Sequence, residues 1–299
     1  MDREESDTDG ILSSYVYNGV DEVPWDVTHV RVDPTVTVVP RRAFRNCREL
    51  EQVDLPEGLI TIERNAFENC LELEVVDLNE GLIRIEKYAF HDCESLKIIS
   101  IPSTVVDIGN FAFNCCEELD KITLPAGLQS IGSWVFTSCV SLQRINIPSG
   151  IEVIKEGTFI NCRSLQDITC SEGLQRIERV AFKSCVSLVS VTLPSSLEVI
   201  GEEAFEGCER LNDIHIPDTI GIIRARAFKN CNFANFRISP SIIDVVDVSI
   251  VGSNISLVSL ELPETAKRLE DNHDEDVRCS DMSIRNVALP ANCVLDTGA

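Results

Sequence analysis

One spacing constrains this chain more than any other feature: a Phe, two residues, then a Cys, recurring every 23 residues without slippage. The pairs are Phe44/Cys47, Phe67/Cys70, Phe90/Cys93, Phe113/Cys116, Phe136/Cys139, Phe159/Cys162, Phe182/Cys185, Phe205/Cys208 and Phe228/Cys231. Self-similarity at a fixed period of about 20–50 residues marks a chain of stacked units, none of which can bury its apolar residues alone.

Within one unit the apolar positions are Leu119, Ile122 and Leu124, then Leu128 and Ile131, then Phe136 and Cys139. The next unit repeats them as Leu142, Ile145, Ile147, Ile151, Ile154, Phe159 and Cys162. Ile122-Thr123-Leu124 alternates apolar and polar, the period of a strand with one buried face. Pro125 lacks an N–H and disfavours helical backbone in the residue before it, so the strand stops there. Leu128 and Ile131 form a second inward pair, and Gly132, like Gly109 and Gly201, reads as a sharp backbone turn. Ala66 to Cys70, Ala-Phe-x-x-Cys, suits one short helical turn. The expected fold is a repeat solenoid, with a curved parallel β-sheet on one face and short turns or single helical turns on the other.

The pattern also sets boundaries. Residues 1–10 are charged and expected to be disordered; 11–26, with Tyr15, Tyr17 and an Asn18-Gly19 turn signal, are expected to cap the array. The repeats run over 27–263 and decay near Phe233, Phe236 and Ile238. An acidic loop is expected over 264–282. Ile284, Val287 and Leu289 then restore the strand spacing, so 283–299 is read as a capping strand and tail.

Composition narrows function. The chain of 299 residues is 44% hydrophobic but only 6% aromatic, enough for an aliphatic core and incompatible with disorder over most of its length. A net charge of −23 argues against nucleic acid or an anionic membrane as partner. The opening residues lack a secretory signal, and no run approaches the roughly 20 apolar residues of a membrane span. A soluble, monomeric, cytoplasmic protein is expected.

A search for chemistry returns little. The thirteen cysteines admit three readings: zinc ligands, disulfides between neighbouring coils, or small buried apolar residues. One thiol per coil with no Cys-x-x-Cys pair is the wrong geometry for tetrahedral zinc. Disulfides need an oxidising compartment, whereas free cysteine is commonly buried. His29, His91, His215 and His273 fall at different repeat offsets, so no nucleophile–base constellation is expected. No catalytic residue, metal or cofactor is expected, and the chain is not read as an enzyme.

What remains is binding. The outward strand positions align in two columns. One holds Gln52, Val75, Ile98, Lys121, Arg144, Asp167, Ser190 and Asp213; the other runs from Asp54 through Asp77, Ser100, Thr123, Asn146, Thr169 and Thr192 to His215. These vary where the inward positions do not. Val75 and Ile98 beside Lys121 and Arg144 form an apolar pair next to two cations, a plausible contact patch. Asp167 and His215 extend the same face, His215 pointing outward from a strand.

The composite spelled out by Leu188, Val191, Leu193, Pro194, Leu197, Ile200, Ala204, Phe205 and Cys208 resembles the BspA-type leucine-rich repeat, over about four-fifths of the chain. The resemblance implies a leucine-rich-repeat solenoid. It also implies a binding role, since the family's best-known members are bacterial surface proteins that bind host or matrix proteins. The expected function is non-catalytic: a protein-interaction module using its strand face. The alternatives are a structural or self-assembling solenoid, and an adhesin-like surface protein exported without a recognisable signal.

Overall fold

The computed structural model describes residues 14–233 and three further strands, Asn235–Arg237, Ser259–Glu261 and Asn286–Ala288. The expected disordered segment 1–10 and acidic loop 264–282 lie outside the described residues. Two compact units make up the chain, Met1–Ile151 and Glu152–Ala299.

In the first unit each coil contributes one strand to a front sheet and a shorter one to a back sheet. The front sheet runs Tyr15–Tyr17, His29–Val32, Gln52–Asp54, Val75–Val76, Ile98–Ser100 and Lys121–Thr123, in chain order and all parallel. The back sheet is formed by Val38–Val39, Thr61–Ile62, Arg84–Ile85, Asp107–Ile108 and Ser130–Ile131. From His29–Val32 on, partners in this unit are 23 residues apart, as in Gln52 opposite Val75 and Lys121 opposite Ile98. The repeat is thereby converted into columns of like residues. Val53, Val76, Ile99 and Ile122 point inward and are buried, while the residues that flank them point outward.

The second unit is built the same way. Val153–Ile154, Arg176–Ile177, Val199–Ile200 and Ile222–Ile223 form its back sheet, and Asp167–Cys170 pairs with Ser190–Thr192 in front. Asn235–Arg237, Ser259–Glu261 and Asn286–Ala288 form a separate parallel sheet of three.

Of the two forms expected for the segment between back and front strands, short turns occur and the helical turn suggested by Ala-Phe-x-x-Cys does not. The segment is a chain of turns, and no helix occurs among the described residues. Two residues in each have left-handed backbone, such as Asn65 (φ 61°) and Asn69 (φ 62°). Hydrogen bonding alternates along it. Ala66, Glu68 and Cys70 donate locally to Glu63, Asn65 and Phe67, at 3.2–3.3 Å, whereas Asn65, Phe67 and Asn69 donate to Lys87, Ala89 and His91 of the next coil, at 2.8–3.1 Å. Every second N–H is therefore unavailable for the i→i−4 bonding of a helix. The glycine reading is corrected too. Gly109 and Gly132 have ordinary φ; a Cβ on either would come within 2.4 Å of backbone nitrogen in the preceding coil, that of Lys87 or Asn110. They serve close approach, not a left-handed turn.

The phenylalanines occupy the centre of each coil and stack. In the first unit Phe44, Phe67, Phe90, Phe113 and Phe136 follow one another at centroid separations of 4.9 to 5.8 Å. Tyr17 meets Phe44 edge-on at 5.0 Å and closes that column. In the second unit Phe159, Phe182, Phe205 and Phe228 stack likewise, and Phe233 turns edge-on against Phe228. Burying each ring stabilises by about 1.5–3 kcal/mol before stacking is counted.

Candidate functional site

The cysteines fit the third of the three readings. From Cys70 on, ladder thiols donate to the carbonyl of the preceding coil's phenylalanine: Cys70 to Phe44 at 3.1 Å, Cys93 to Phe67 and Cys116 to Phe90 at 3.2 Å, Cys185 to Phe159 at 3.1 Å; Cys47, at the start of the ladder, faces the Pro24 carbonyl instead. The thiol is small enough for the turn and supplies a weak donor to a carbonyl with a spare lone pair. Burial pushes the Cys185 thiol up to about 12, and Cys70, Cys116 and Cys208 well above the usual thiol range. These thiols stay protonated, which makes them poor nucleophiles and poor metal ligands. Cys170 is buried where other coils carry Leu or Ile, and its thiol is likewise raised by burial, to about 12. Among the described cysteines only Cys115 is half-exposed; desolvation, with Asp92 nearby, raises it to about 11.

The histidines are dispersed. His29 Nε2 lies 3.1 Å from Asp54, whose carboxyl is held below its usual range chiefly by that hydrogen bond. His91 sits on the turn side, 3.2 Å from the Asn114 carbonyl. Among the described residues no group of three His, Cys, Asp or Glu is placed to hold a metal ion.

The front sheet presents the two outward columns. In the first unit Val75 and Ile98 are partners on adjacent rungs, 49% and 58% exposed. Lys121 is the partner of Ile98 on the next rung, exposed and in no ion pair with a described residue. Arg144 begins the following strand, Arg144–Ile147, and is exposed. Lys97 flanks the patch, bridging Glu74 at 3.2 Å and Glu118 at 3.6 Å. In the second unit Asp167 pairs with Ser190 and is only half-exposed. Asp213 and His215 are exposed but belong to no strand. The strand placement of His215 is corrected by this, and His215 and Asp167 belong to the second unit.

Two features escaped the sequence reading. His29 and Arg31 head the two front columns, as their partners Gln52 and Asp54 show; the 23-residue offset was the available signal. On the turn side Tyr88, Phe111 and Trp134 stack half-exposed, at 4.8 and 6.1 Å, with Lys87 Nζ 4.8 Å from the Tyr88 ring centre. All three have left-handed φ, 58–61°, a conformation that costs a bulky L-residue about 1–2 kcal/mol.

The model of the BspA-type leucine-rich repeat region, in six copies, matches residues 24–139, 84–210 and 175–294, and the chain belongs to that family. Among solved structures, a leucine-rich repeat protein from Bacteroides ovatus is 23% identical with a TM-score of 0.67, over 97% of this chain and 87% of that one. The leucine-rich repeat protein TpLRR of T. pallidum is 29% identical, TM-score 0.50, over 62% of this chain and 78% of its own. The pneumococcal vaccine antigen PcpA is 18% identical, TM-score 0.54, over 93% and 84%. No curated protein matches the chain. Repeat solenoids of this family typically serve binding and are generally not enzymes.

Proposed function

We propose that the chain is a non-catalytic interaction module that presents the front sheet of its first unit to another protein. One observation carries the reading: Val75 and Ile98, each about half exposed, lie side by side on a rigid ladder with Lys121 and Arg144 on the following rungs. Apolar anchors desolvate on contact, and neighbouring cations orient an acidic surface around them. The chain's charge of −23 disfavours a polyanion in that role.

The test is enrichment of the tagged protein from extracts of its own cells, beside an Ile98→Asp/Arg144→Glu variant of unchanged thermal midpoint. A protein retained by the wild type and lost by the variant supports the reading; equal recovery by both overturns it.

A further inference from the structure

On the turn side of the first unit two neighbouring columns carry cations and rings in a pattern that the core does not need. The first column reads Arg41, Arg64, Lys87, Asn110 and Ser133 from coil to coil; the second reads Arg42, Asn65, Tyr88, Phe111 and Trp134. Backbone bonds lock them together: Arg42 N–H donates to the Arg64 carbonyl at 3.2 Å, Asn65 to Lys87 at 3.1 Å, Tyr88 to Asn110 and Phe111 to Ser133 at 3.0 Å. The cations reach the rings, with Lys87 Nζ 5.6 Å from the Phe111 centre and the Arg64 guanidinium 5.8 Å from that of Tyr88.

The charge pattern separates this strip from the rest of the molecule. Arg41, Arg42 and Arg64 are exposed, Lys87 is half-exposed, and none of the four is ion-paired to a described residue. The chain has 49 acidic against 26 basic residues, so four unpaired cations side by side run against its composition. The same two columns in the second unit behave as expected: Arg179 bonds Glu156 at 2.6 Å, and Arg226 lies 3.6 Å from Glu203. Acidic neighbours offset only part of the charge: Glu63 and Glu86 accept the backbone N–H groups of Arg41 and Arg64, and Glu68 accepts from the Asn65 amide while paired with Arg45.

We propose that this strip docks a short acidic segment of a partner protein, carboxylates on Arg41, Arg64 and Lys87 and apolar side chains along Tyr88, Phe111 and Trp134. A nucleic acid fits less well. The rings cover one another's faces and turn their edges outward, which leaves little open π-surface for a base, and a polyphosphate meets the whole negative field. A peptide with few charges is screened from that field beyond about 8 Å. The strip is separate from the front sheet and does not depend on its role.

The probe is a short peptide alternating glutamate and phenylalanine, with the glutamine-for-glutamate peptide as neutral control and an oligothymidylate as competitor. In a Trp25→Phe background Trp134 is the sole tryptophan, so its emission reports docking. The acidic peptide is expected to shift that emission at low salt, the neutral one to bind about tenfold more weakly, and rising ionic strength to remove the difference. Arg41→Ser/Arg64→Ser/Lys87→Ser, checked for an unchanged unfolding midpoint, is expected to lose about the same factor, while Ile98→Asp/Arg144→Glu keeps full affinity. Equal affinity for both peptides, no emission change with either, or displacement of the peptide by oligothymidylate overturns the proposal.

Discussion

Two columns of stacked aromatic rings run through the first unit, two residues apart in sequence, and they obey different rules. Phe44 to Phe136 form the inner column, one ring per coil, fully buried, with a cysteine thiol behind each. Tyr88, Phe111 and Trp134 form the outer one, confined to three coils, half-exposed and held at left-handed φ. The inner column is required for a coil to exist, since its rings are the centre of the core. The outer column is optional: the same position holds Asn65 one coil earlier and Arg42 two coils earlier, so the turn closes without a ring. What is uniform here builds the scaffold, and what varies against a conformational penalty is free to serve something else.

The comparison breaks first, and most completely, in alkali. The inner thiols are raised by burial from the ordinary 9.0, so they stay neutral in the folded chain and ionise more readily in the unfolded one. Their contribution is complete below pH 9.0 and falls above it, by up to about 1.4 kcal/mol per pH unit for each thiol. The denaturant midpoint should be level up to that pH and then drop steeply, thiolate absorbance rising together with the loss of structure. Cys93→Ala/Cys116→Ala should drop less steeply; an identical slope would show that the thiols do not set it. Next in size is Phe90→Ala, which empties one rung of the inner column and should cost about 3–5 kcal/mol in equilibrium unfolding.

Phe111→Asn sharpens the contrast from the other side. It gives up stacking worth about 0.5–1.5 kcal/mol and relieves a left-handed strain of similar size, so stability should stay within about 1 kcal/mol of the wild type. A loss comparable to Phe90→Ala would make the outer rings structural after all. The smallest effect belongs to the front sheet, where Ile98→Asp should move the unfolding free energy by about 0.5 kcal/mol or less, the usual result for an exposed position.

Much of the scaffold was legible because the 23-residue period survives in the sequence unaltered, and the inward positions of Val53, Val76, Ile99 and Ile122 follow from simple alternation. The back sheet was visible only as an inward pair such as Leu128 and Ile131, because a two-residue strand is too short to show a period. Ala-Phe-x-x-Cys mimics a helical turn in its apolar spacing. The counter-signal was the residue before the cysteine in six of the nine pairs: Asn46, Asn69, Asp92, Asn161, Gly207 and Asn230 are types that tolerate left-handed backbone. The front columns could be read from alternation, but the same alternation continues through Asp213 and His215, where no strand forms. The outer rings were hidden by their differing identities and by a composition poor in aromatics.

The strict 23-residue offset between ladder partners makes chain length a quantised property. Excising residues 94–116 from the first unit would bring Cys93 directly before Glu117, and each inward, turn and thiol position would meet its equivalent from the following coil. Removing one residue more or fewer would turn an inward valine or isoleucine toward solvent along a whole strand. Genes for such proteins can therefore gain or lose material in whole coils while every surviving contact type persists, and any surface carried on particular coils, such as the rings of Tyr88, Phe111 and Trp134, can be moved, duplicated or deleted as a block.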